Sequence, residues 1–251
     1  MKHLPIPLFA ALITFNVQAA EGDAAGAADS GAPVESELPE VSGTLGVGAL
    51  SASGNTESRS VNVDVAAQVA YEVWRHKLQV SGYQASEDGT DTAERFKGSV
   101  QSDYRFSERS YLFANGSYES DKFGAFDRQA SVSAGLGRRV LETPSLSLDL
   151  EAGAGHRVSE PDGTNDRDGE GIARLNGELA WDFSESGRFT QELEVISGSS
   201  NTATESISAV RSKLTGDLSW RLSHTIVHNS DVPSGTEKTD TFTALAVEYA
   251  F

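Results

Sequence analysis

Strict two-residue alternation constrains this chain more than any other feature of its sequence. Between residues 61 and 73, valines and other apolar residues take every second position, and Asn62, Asp64, Gln68 and Glu72 lie between them. This alternation predicts a β-strand with one apolar and one polar face. The polar face is too long and too regular for a strand of a β-sandwich. We therefore expect a sheet that meets lipid on one side and water on the other.

Similar segments fill the chain from residue 41 onward, with turn residues between them. We predict about twelve strands, near residues 41–53, 59–73, 76–86, 93–106, 110–120, 128–140, 145–159, 171–183, 188–199, 206–222, 225–232 and 240–251. An even number of strands brings both ends of a barrel to the same side. The mean hydropathy of −0.34 fits this fold, because only alternate residues of such strands face lipid. The predicted fold is all-β, a transmembrane antiparallel up-and-down β-barrel.

The residues before position 41 follow a different pattern. A short basic start precedes an apolar stretch over residues 4–15, which is too short to cross a bilayer. Val17 and Ala19 place small residues where a signal peptidase requires them. The stretch that follows is acidic, has no Lys or Arg, and contains little that could be buried. We predict a signal peptide over 1–19, a disordered acidic periplasmic leader over 20–40 and an outer-membrane β-barrel over 41–251.

The last predicted strand indicates how the barrel is assembled. Leu245, Val247, Tyr249 and Phe251 share one face, and Glu248 lies on the other. An amphipathic strand that ends on an aromatic residue resembles the C-terminal sorting strand of bacterial outer-membrane barrels. We therefore expect two partners, outer-membrane lipid and the barrel assembly machinery, and we expect both mature termini in the periplasm.

Composition narrows the remaining partners and cofactors. The chain has 37 acidic and 20 basic residues and a net charge of −17, which argues against nucleic-acid binding. It has no cysteine, so it withstands an oxidising compartment without disulfides. A P-loop, a dinucleotide-binding fingerprint and an HExxH motif are absent, and no cofactor is predicted. Small ions or polar solutes remain as candidate ligands.

Aromatic residues cluster near the expected strand ends. Amphipathic rings prefer the headgroup level of a bilayer, so two aromatic belts should flank an aliphatic band. The far ends of the strands collect Tyr83, Phe96, Tyr118, Phe123, Phe126 and Phe242. The predicted periplasmic girdle consists of Tyr71, Trp74, Tyr104, Phe106, Tyr111, Phe113, Trp181, Phe183, Phe189, Trp220, Tyr249 and Phe251.

Strand parity also yields a set of charged residues that should line the lumen. Charges of both signs occur on neighbouring strands, which fits either a salt-bridged network in a closed barrel or a polar path for ions and small solutes. The lumen-lining candidates are Asp64, Lys97, Asp103, Arg105, Arg139, Asp149, Glu151, Arg157, Arg174, Glu178, Asp182, Glu192, Glu194, Arg211, Lys213, Asp217 and Arg221.

Two finer expectations concern the inner wall. If residues 201–204 form a tight outer turn, Glu194 lies opposite Arg211, and Glu192 lies opposite Lys213. Gly135, Gly137, Gly153 and Gly155 share the lumen face of two consecutive strands. Glycines in strands mark a bend or the close approach of another group. Here they indicate either barrel curvature or a bulky side chain or solute against the wall.

Two groups of residues bear on metal binding and on hydrolysis. Asp166-x-Asp168-Gly169 resembles part of a calcium loop, but the bidentate Glu that such a loop requires is replaced by Leu175. No metal site is therefore predicted. A lipid hydrolase would need a Ser–His pair, for which His156 and Ser159 are the best candidates, but no motif links them. We expect a protein that is not an enzyme.

The order of several short motifs resembles one known family, the YdiY-like salt-induced outer-membrane proteins. These motifs are Ser53-Gly54-Asn55-Thr56-Glu57, Tyr71-x-x-Trp74-x-His76, Asp103-Tyr104-Arg105-Phe106-Ser107-x-Arg109-x-Tyr111, Tyr118-Glu119-x-Asp121-x-Phe123, Gly135-x-Gly137-Arg138 and Glu151-x-Gly153-x-Gly155-His156-Arg157. The resemblance implies an outer-membrane barrel and supplies no ligand or catalytic residue. The expected function is a narrow passive conduit linked to salt or envelope stress. The alternatives are a closed structural barrel with a salt-bridged lumen and, less favoured, a lipid hydrolase.

Overall fold

Twelve strands close into one antiparallel barrel in the computed structural model, which describes residues 38–52, 57–161 and 167–251. Each strand pairs with its neighbours in the chain, and β1 pairs with β12. Among the described residues, no helix is long and apolar enough to cross a membrane. The strands are β1 (Glu40–Ala52), β2 (Ser58–Ala70), β3 (Trp74–Glu87), β4 (Thr90–Arg105), β5 (Ser110–Asp121), β6 (Phe126–Glu142), β7 (Leu146–Pro161), β8 (Asp168–Asp182), β9 (Gly187–Ser197), β10 (Thr202–Thr215), β11 (Leu218–Asn229) and β12 (Thr239–Ala250).

The barrel turns its apolar side chains outward and its polar side chains inward. On β2, Val61 and Val63 are 50% and 41% exposed, whereas Asn62 between them is 8% exposed. Among the described residues, seventeen polar side chains are buried against six apolar ones. A soluble protein shows the opposite balance, so this distribution fits a barrel with lipid outside. The predicted all-β, twelve-stranded transmembrane fold is thus confirmed.

The seam that closes the barrel is its shortest strand pairing. β1 and β2 are paired from Glu40 with Ala70 to Ala52 with Ser58. In contrast, β1 and β12 are paired only from Thr44 with Ala250 to Val47 with Val247. Two further backbone hydrogen bonds, of 2.9 and 3.0 Å, join Gly43 and Phe251 at the end of the barrel where β1 begins and β12 ends. We call this end the termini end and the opposite end the far end.

The predicted boundaries of the tenth and eleventh strands, 206–222 and 225–232, are wrong. β10 ends at Thr215 and β11 starts at Leu218, so the turn contains Gly216 and Asp217 and not residues 222–224. Gly216 has a φ of +54°, which glycine adopts readily. Apolar residues stay at even positions on both sides of the turn, and the alternation therefore continues through it without a break.

The predicted pairing of β9 with β10 is also wrong, because it placed the turn between these strands at residues 201–204. The turn between β9 and β10 spans residues 198–201, where the amide of Gly198 donates to the carbonyl of Asn201 at 3.0 Å. In the observed register Glu194 faces Glu205, and Glu192 faces Ile207. The predicted pairs of Glu194 with Arg211 and of Glu192 with Lys213 are therefore not formed.

The aromatic residues divide between the two faces of the wall. Among the predicted girdle residues, Tyr111 and Phe113 are only 5% and 3% exposed and lie inside the barrel, so their assignment to the girdle is wrong. At the far end, Tyr83 and Phe242 also point inward, where their ring centroids lie 5.4 Å apart. The outer surface carries Tyr71, Trp74, Tyr104, Phe106, Trp181, Phe183, Phe189, Trp220, Tyr249 and Phe251.

Candidate functional site

Fourteen of the predicted lumen residues lie on inward-facing strand positions, and three lie at the termini end. The guanidinium of Arg105 donates to the carbonyl of Tyr71 in the turn between β2 and β3. Lys213 is exposed near the end of β10. Asp217 lies in the turn between β10 and β11, so its assignment to an inward strand position is wrong. The interior positions are occupied by Asp64, Lys97, Asp103, Arg139, Asp149, Glu151, Arg157, Arg174, Glu178, Asp182, Glu192, Glu194, Arg211 and Arg221.

One half of the interior is a packed polar core between β3 and β9. Asp103 is fully buried and accepts hydrogen bonds from Arg75 at 2.8 Å and from Gln101 at 2.9 Å. Gln101 also donates to Glu151 at 2.7 Å, and the hydroxyl of Tyr111 donates to the same carboxylate at 2.9 Å. Buried charges are tolerated where they are paired and hydrogen-bonded. These side chains therefore fill this half of the lumen.

Arg174 joins this core to the next part of the wall. Its guanidinium lies 2.7 Å from Glu151 and 2.7 Å from Glu194. It also lies over the ring of Phe113, 5.2 Å from the centroid, which adds a cation–π contact. With two carboxylates and one aromatic ring around it, Arg174 is the central cation of the packed half.

Glycines on the facing strands explain why two aromatic residues turn inward. A Cβ atom at Gly137 would overlap the ring of Tyr111, and a Cβ atom at Gly153 would come within 2.8 Å of the ring of Phe113. These glycines therefore mark the close approach of bulky side chains, which come from the neighbouring part of the wall. Tyr111 and Phe113 share strand parity with Asn115, and this sequence signal could have placed them inside.

Ion pairs cross the lumen and separate the packed half from the rest. Lys77 on β3 lies 3.1 Å from Glu178 on β8. Arg95 on β4 lies 2.9 Å from Glu205 on β10, and Lys97 contacts the same carboxylate. These strands are not neighbours in the sheet, so the contacts are struts through the interior. We call these five residues the strut network.

An open cavity of about 500 Å³ lies on the other side of the strut network. Small side chains leave this space free, among them Ala66, Ser81, Ser223 and Ala244. Charged residues also line it: Asp64, Arg188, Glu192, Arg211, Arg221 and Glu248. The cavity is therefore polar and lies to one side of the barrel axis.

A constriction separates this cavity from a smaller one of about 70 Å³ at the far end. Arg95, Lys97, Glu205 and Phe242 line both spaces. The guanidinium of Arg95 lies 5.3 Å from the centroid of the Phe242 ring, and Tyr83 packs on the same ring. A solute that passed along the barrel would have to move past this group.

Several of these residues were missed at the sequence level. Arg75, Lys77, Arg95, Glu205 and Glu248 all reach the interior. Glu248 shares its face with the small residues of the last strand, so its parity alone predicts an inward position. Arg75 was missed because it was assigned to a turn, whereas it is the second residue of β3.

The residues considered for catalysis and metal binding are not brought together. His156 is exposed on the outside of β7, whereas Ser159 points inward and is 8% exposed. A nucleophile and its base must lie within hydrogen-bond reach, so this pair does not form. Asp166 of the calcium-like motif lies outside the described residues, and Asp168 and Gly169 begin β8. Among the described residues, no group of three or more His, Asp or Glu side chains is placed to hold a metal ion.

Solved structures with a similar fold are outer-membrane channels. An outer-membrane channel from Pseudomonas putida F1 is 12% identical to this chain, with a TM-score of 0.50 over 88% of this chain and 99% of that one. The NanC porin is 11% identical, with a TM-score of 0.47 over 82% of this chain and 97% of that one. The first of these similarities supports the outer-membrane barrel fold.

Sequence comparison identifies the family. The uncharacterized protein YdiY of Escherichia coli (strain K12) is 26% identical over 209 residues, which are 83% of this chain and 82% of YdiY. The predicted resemblance to YdiY-like proteins is thus confirmed. A family model described as "Protein of unknown function, DUF481" matches residues 45–251, essentially the whole barrel. The chain belongs to the DUF481 family.

Proposed function

We propose that this protein is a narrow passive conduit for ions or small polar solutes across the outer membrane. The observation that carries the proposal is the polar cavity of about 500 Å³ beside the strut network. Side chains just fill a barrel of about eight strands, and barrels of sixteen or more hold an aqueous channel. A twelve-stranded barrel lies between these cases, and here one half is packed and the other is open.

We also propose an orientation and an assembly route. The strands meet outer-membrane lipid through their apolar outer faces. The termini end lies in the periplasm, together with the acidic leader that remains after removal of the signal peptide. β12 is the strand that the barrel assembly machinery would bind, because its apolar residues and Phe251 form the free edge until β1 pairs with it. An antibody epitope placed before Glu40 should be inaccessible on intact cells and accessible after the outer membrane is opened.

The conduit is tested by conductance through the constriction. We expect the refolded protein to give discrete current steps in planar bilayers. Phe242→Ala should raise the conductance of each step, because the Phe242 ring narrows the passage between the two cavities. Phe96→Ala is the matched control, since Phe96 is 46% exposed on the outer surface. A bilayer that stays silent with both the wild type and Phe242→Ala would contradict the conduit.

A closed structural barrel is the second candidate, and the strut network favours it. Three cations and two carboxylates cross the lumen and tie opposite walls together. Silent bilayers together with a stable, refolded barrel would support this role. We propose no enzymatic activity, and the separation of His156 from Ser159 weighs against a lipid hydrolase. The link to salt or envelope stress rests on the family resemblance, and growth of a deletion strain in raised NaCl tests it.

A further inference from the structure

Three arginines lie side by side on the wall of the open cavity. Arg188 on β9 is the register partner of Arg211 on β10, and Arg211 is the register partner of Arg221 on β11. All three line the cavity. Like charges directly opposite each other destabilise a sheet, so the alignment of these three cations in one row is costly. We call this row the arginine ladder.

Arg211 and Arg221, two members of the ladder, have little negative charge near them. Arg188 is paired with Asp182 at 2.7 Å. Arg211 and Arg221 share one carboxylate, Glu248, at 3.9 and 3.7 Å, which is beyond hydrogen-bond distance. Within the described part of the chain, neither of these two guanidinium groups donates a side-chain hydrogen bond. Two cations therefore face the cavity with one shared anion between them.

The ladder rises along the barrel because the strands are tilted. Strands lie about 4.8 Å apart and tilt by about 40° in such barrels, so each step along the row rises by about 3 Å. The inward neighbours of the ladder on these strands include Thr190, Ala209 and Ser223, whose side chains are small. Space is therefore left in front of the guanidinium groups, and successive groups are close enough to pass an anion from one to the next.

We propose that the arginine ladder binds small carboxylate solutes and guides them along the conduit. Guanidinium groups present paired N–H donors that match the two oxygens of a carboxylate. The carboxylate of Glu248 already lies between Arg211 and Arg221 and shows that this position accepts such a group. An incoming carboxylate would displace Glu248 from one guanidinium and gain the hydrogen bonds that Glu248 does not make. The guiding role rests on the proposed conduit, whereas the binding does not.

The ladder is positively charged, whereas the wall nearer the constriction carries charges of both signs. That wall carries three carboxylates, Glu192, Glu194 and Glu205. The cations beside them, Lys97 and Arg95, are already paired in the strut network. The positive charge of the ladder would repel a cation that entered the cavity, whereas it would bind a carboxylate. The ladder thus determines which class of solute passes this half of the barrel.

Reversal potentials in a KCl gradient test the guiding role. Removing both charges with Arg211→Gln and Arg221→Gln should lower the chloride-to-potassium permeability ratio about fivefold, since a unit charge about 4 Å from an ion still acts on it in water. Glu248→Gln should raise the ratio, because it removes the competing anion. Arg138→Gln is the matched control, since it removes the same charge from the exposed outer face of β6 and should leave the ratio unchanged.

Binding is measured separately, with succinate as the probe and the refolded full-length barrel in detergent. Succinate should raise the urea midpoint of the wild type and of Arg138→Gln above the value in NaCl of equal ionic strength. The shift should be lost in the Arg211→Gln/Arg221→Gln variant and enlarged in Glu248→Gln. A succinate shift equal to the NaCl shift, or one that persists without the two arginines, would overturn the site.

The two experiments separate failure of the site from failure of the conduit. Silent bilayers with a succinate shift that depends on Arg211 and Arg221 would overturn the conduit and uphold the binding site. Conducting channels with an unchanged permeability ratio and no such shift would uphold the conduit and overturn the ladder.

Discussion

Arg174→Met is expected to lower the free energy of unfolding by about 3–5 kcal/mol. The side chains of Arg174 and Glu151 are 6% and 3% exposed, and their charged atoms lie 2.7 Å apart. Methionine is close in length but carries no charge, so Glu151 and Glu194 would both lose the cation that holds them. A buried carboxylate without a partner is far more costly than a buried ion pair.

A double variant gives this prediction its control. Arg174→Met combined with Glu151→Gln should be more stable than Arg174→Met alone, because the uncompensated charge at the centre of the core is removed. Arg138→Met changes an exposed arginine on the outer face and should alter stability much less. Urea midpoints in liposomes measure all three. A double variant that is less stable than Arg174→Met would contradict this prediction. It would indicate that water reaches Glu151 and that the packed polar core does not exclude it.

Val63→Arg is expected to cost about 2–4 kcal/mol, because it places a charge near the middle of the lipid-facing surface. Val63 is 41% exposed and lies halfway along β2. Its side chain shares the outer face with Val61, and no acidic residue faces outward beside it on β1 or β3, where its partners are Val47 and Gly82. The arginine would therefore remain unpaired in hydrocarbon or bend the strand to reach the interface.

Ala66→Arg on the same strand is the control for Val63→Arg. Ala66 lines the open cavity, so a new arginine there would meet water and the carboxylate of Asp64 two positions away on the same face. Its cost should be much smaller in the same urea titration. Equal destabilisation by both variants would show that β2 does not separate lipid from a hydrated lumen.

Alternation predicted the fold and most of the strands because a lipid-facing wall imposes it on every strand. It did not locate the turn at Gly216 and Asp217, because a β-bulge between Lys213 and Thr215 restores the parity that a two-residue turn would otherwise reverse. The Gly-Asp pair itself was the available signal. A second turn, between β9 and β10, lies at residues 198–201 and not at the expected 201–204. This difference shifted the partners of Glu192 and Glu194, since pairing depends on where the turn lies.

The candidate site was only partly accessible to sequence reasoning. Parity tells which face a side chain is on, and it placed Glu178 and Arg174 inside. It does not tell which strands meet across the lumen, so the contacts of Lys77 with Glu178 and of Arg95 with Glu205 could not be predicted. Those contacts depend on the barrel's circumference and shear, which no single strand encodes.

The short seam between β1 and β12 has a mechanical consequence for the open half of the barrel. The ion pairs described above brace the wall from β3 to β10, whereas the seam is held by backbone hydrogen bonds between Thr44–Val47 and Val247–Ala250 and at Gly43 and Phe251. Outward strain on the cavity would therefore fall on the seam before it reached a strut. Amide hydrogen exchange should be fastest along β1 and β12, and these strands should be the last to lock during folding and the first to fray.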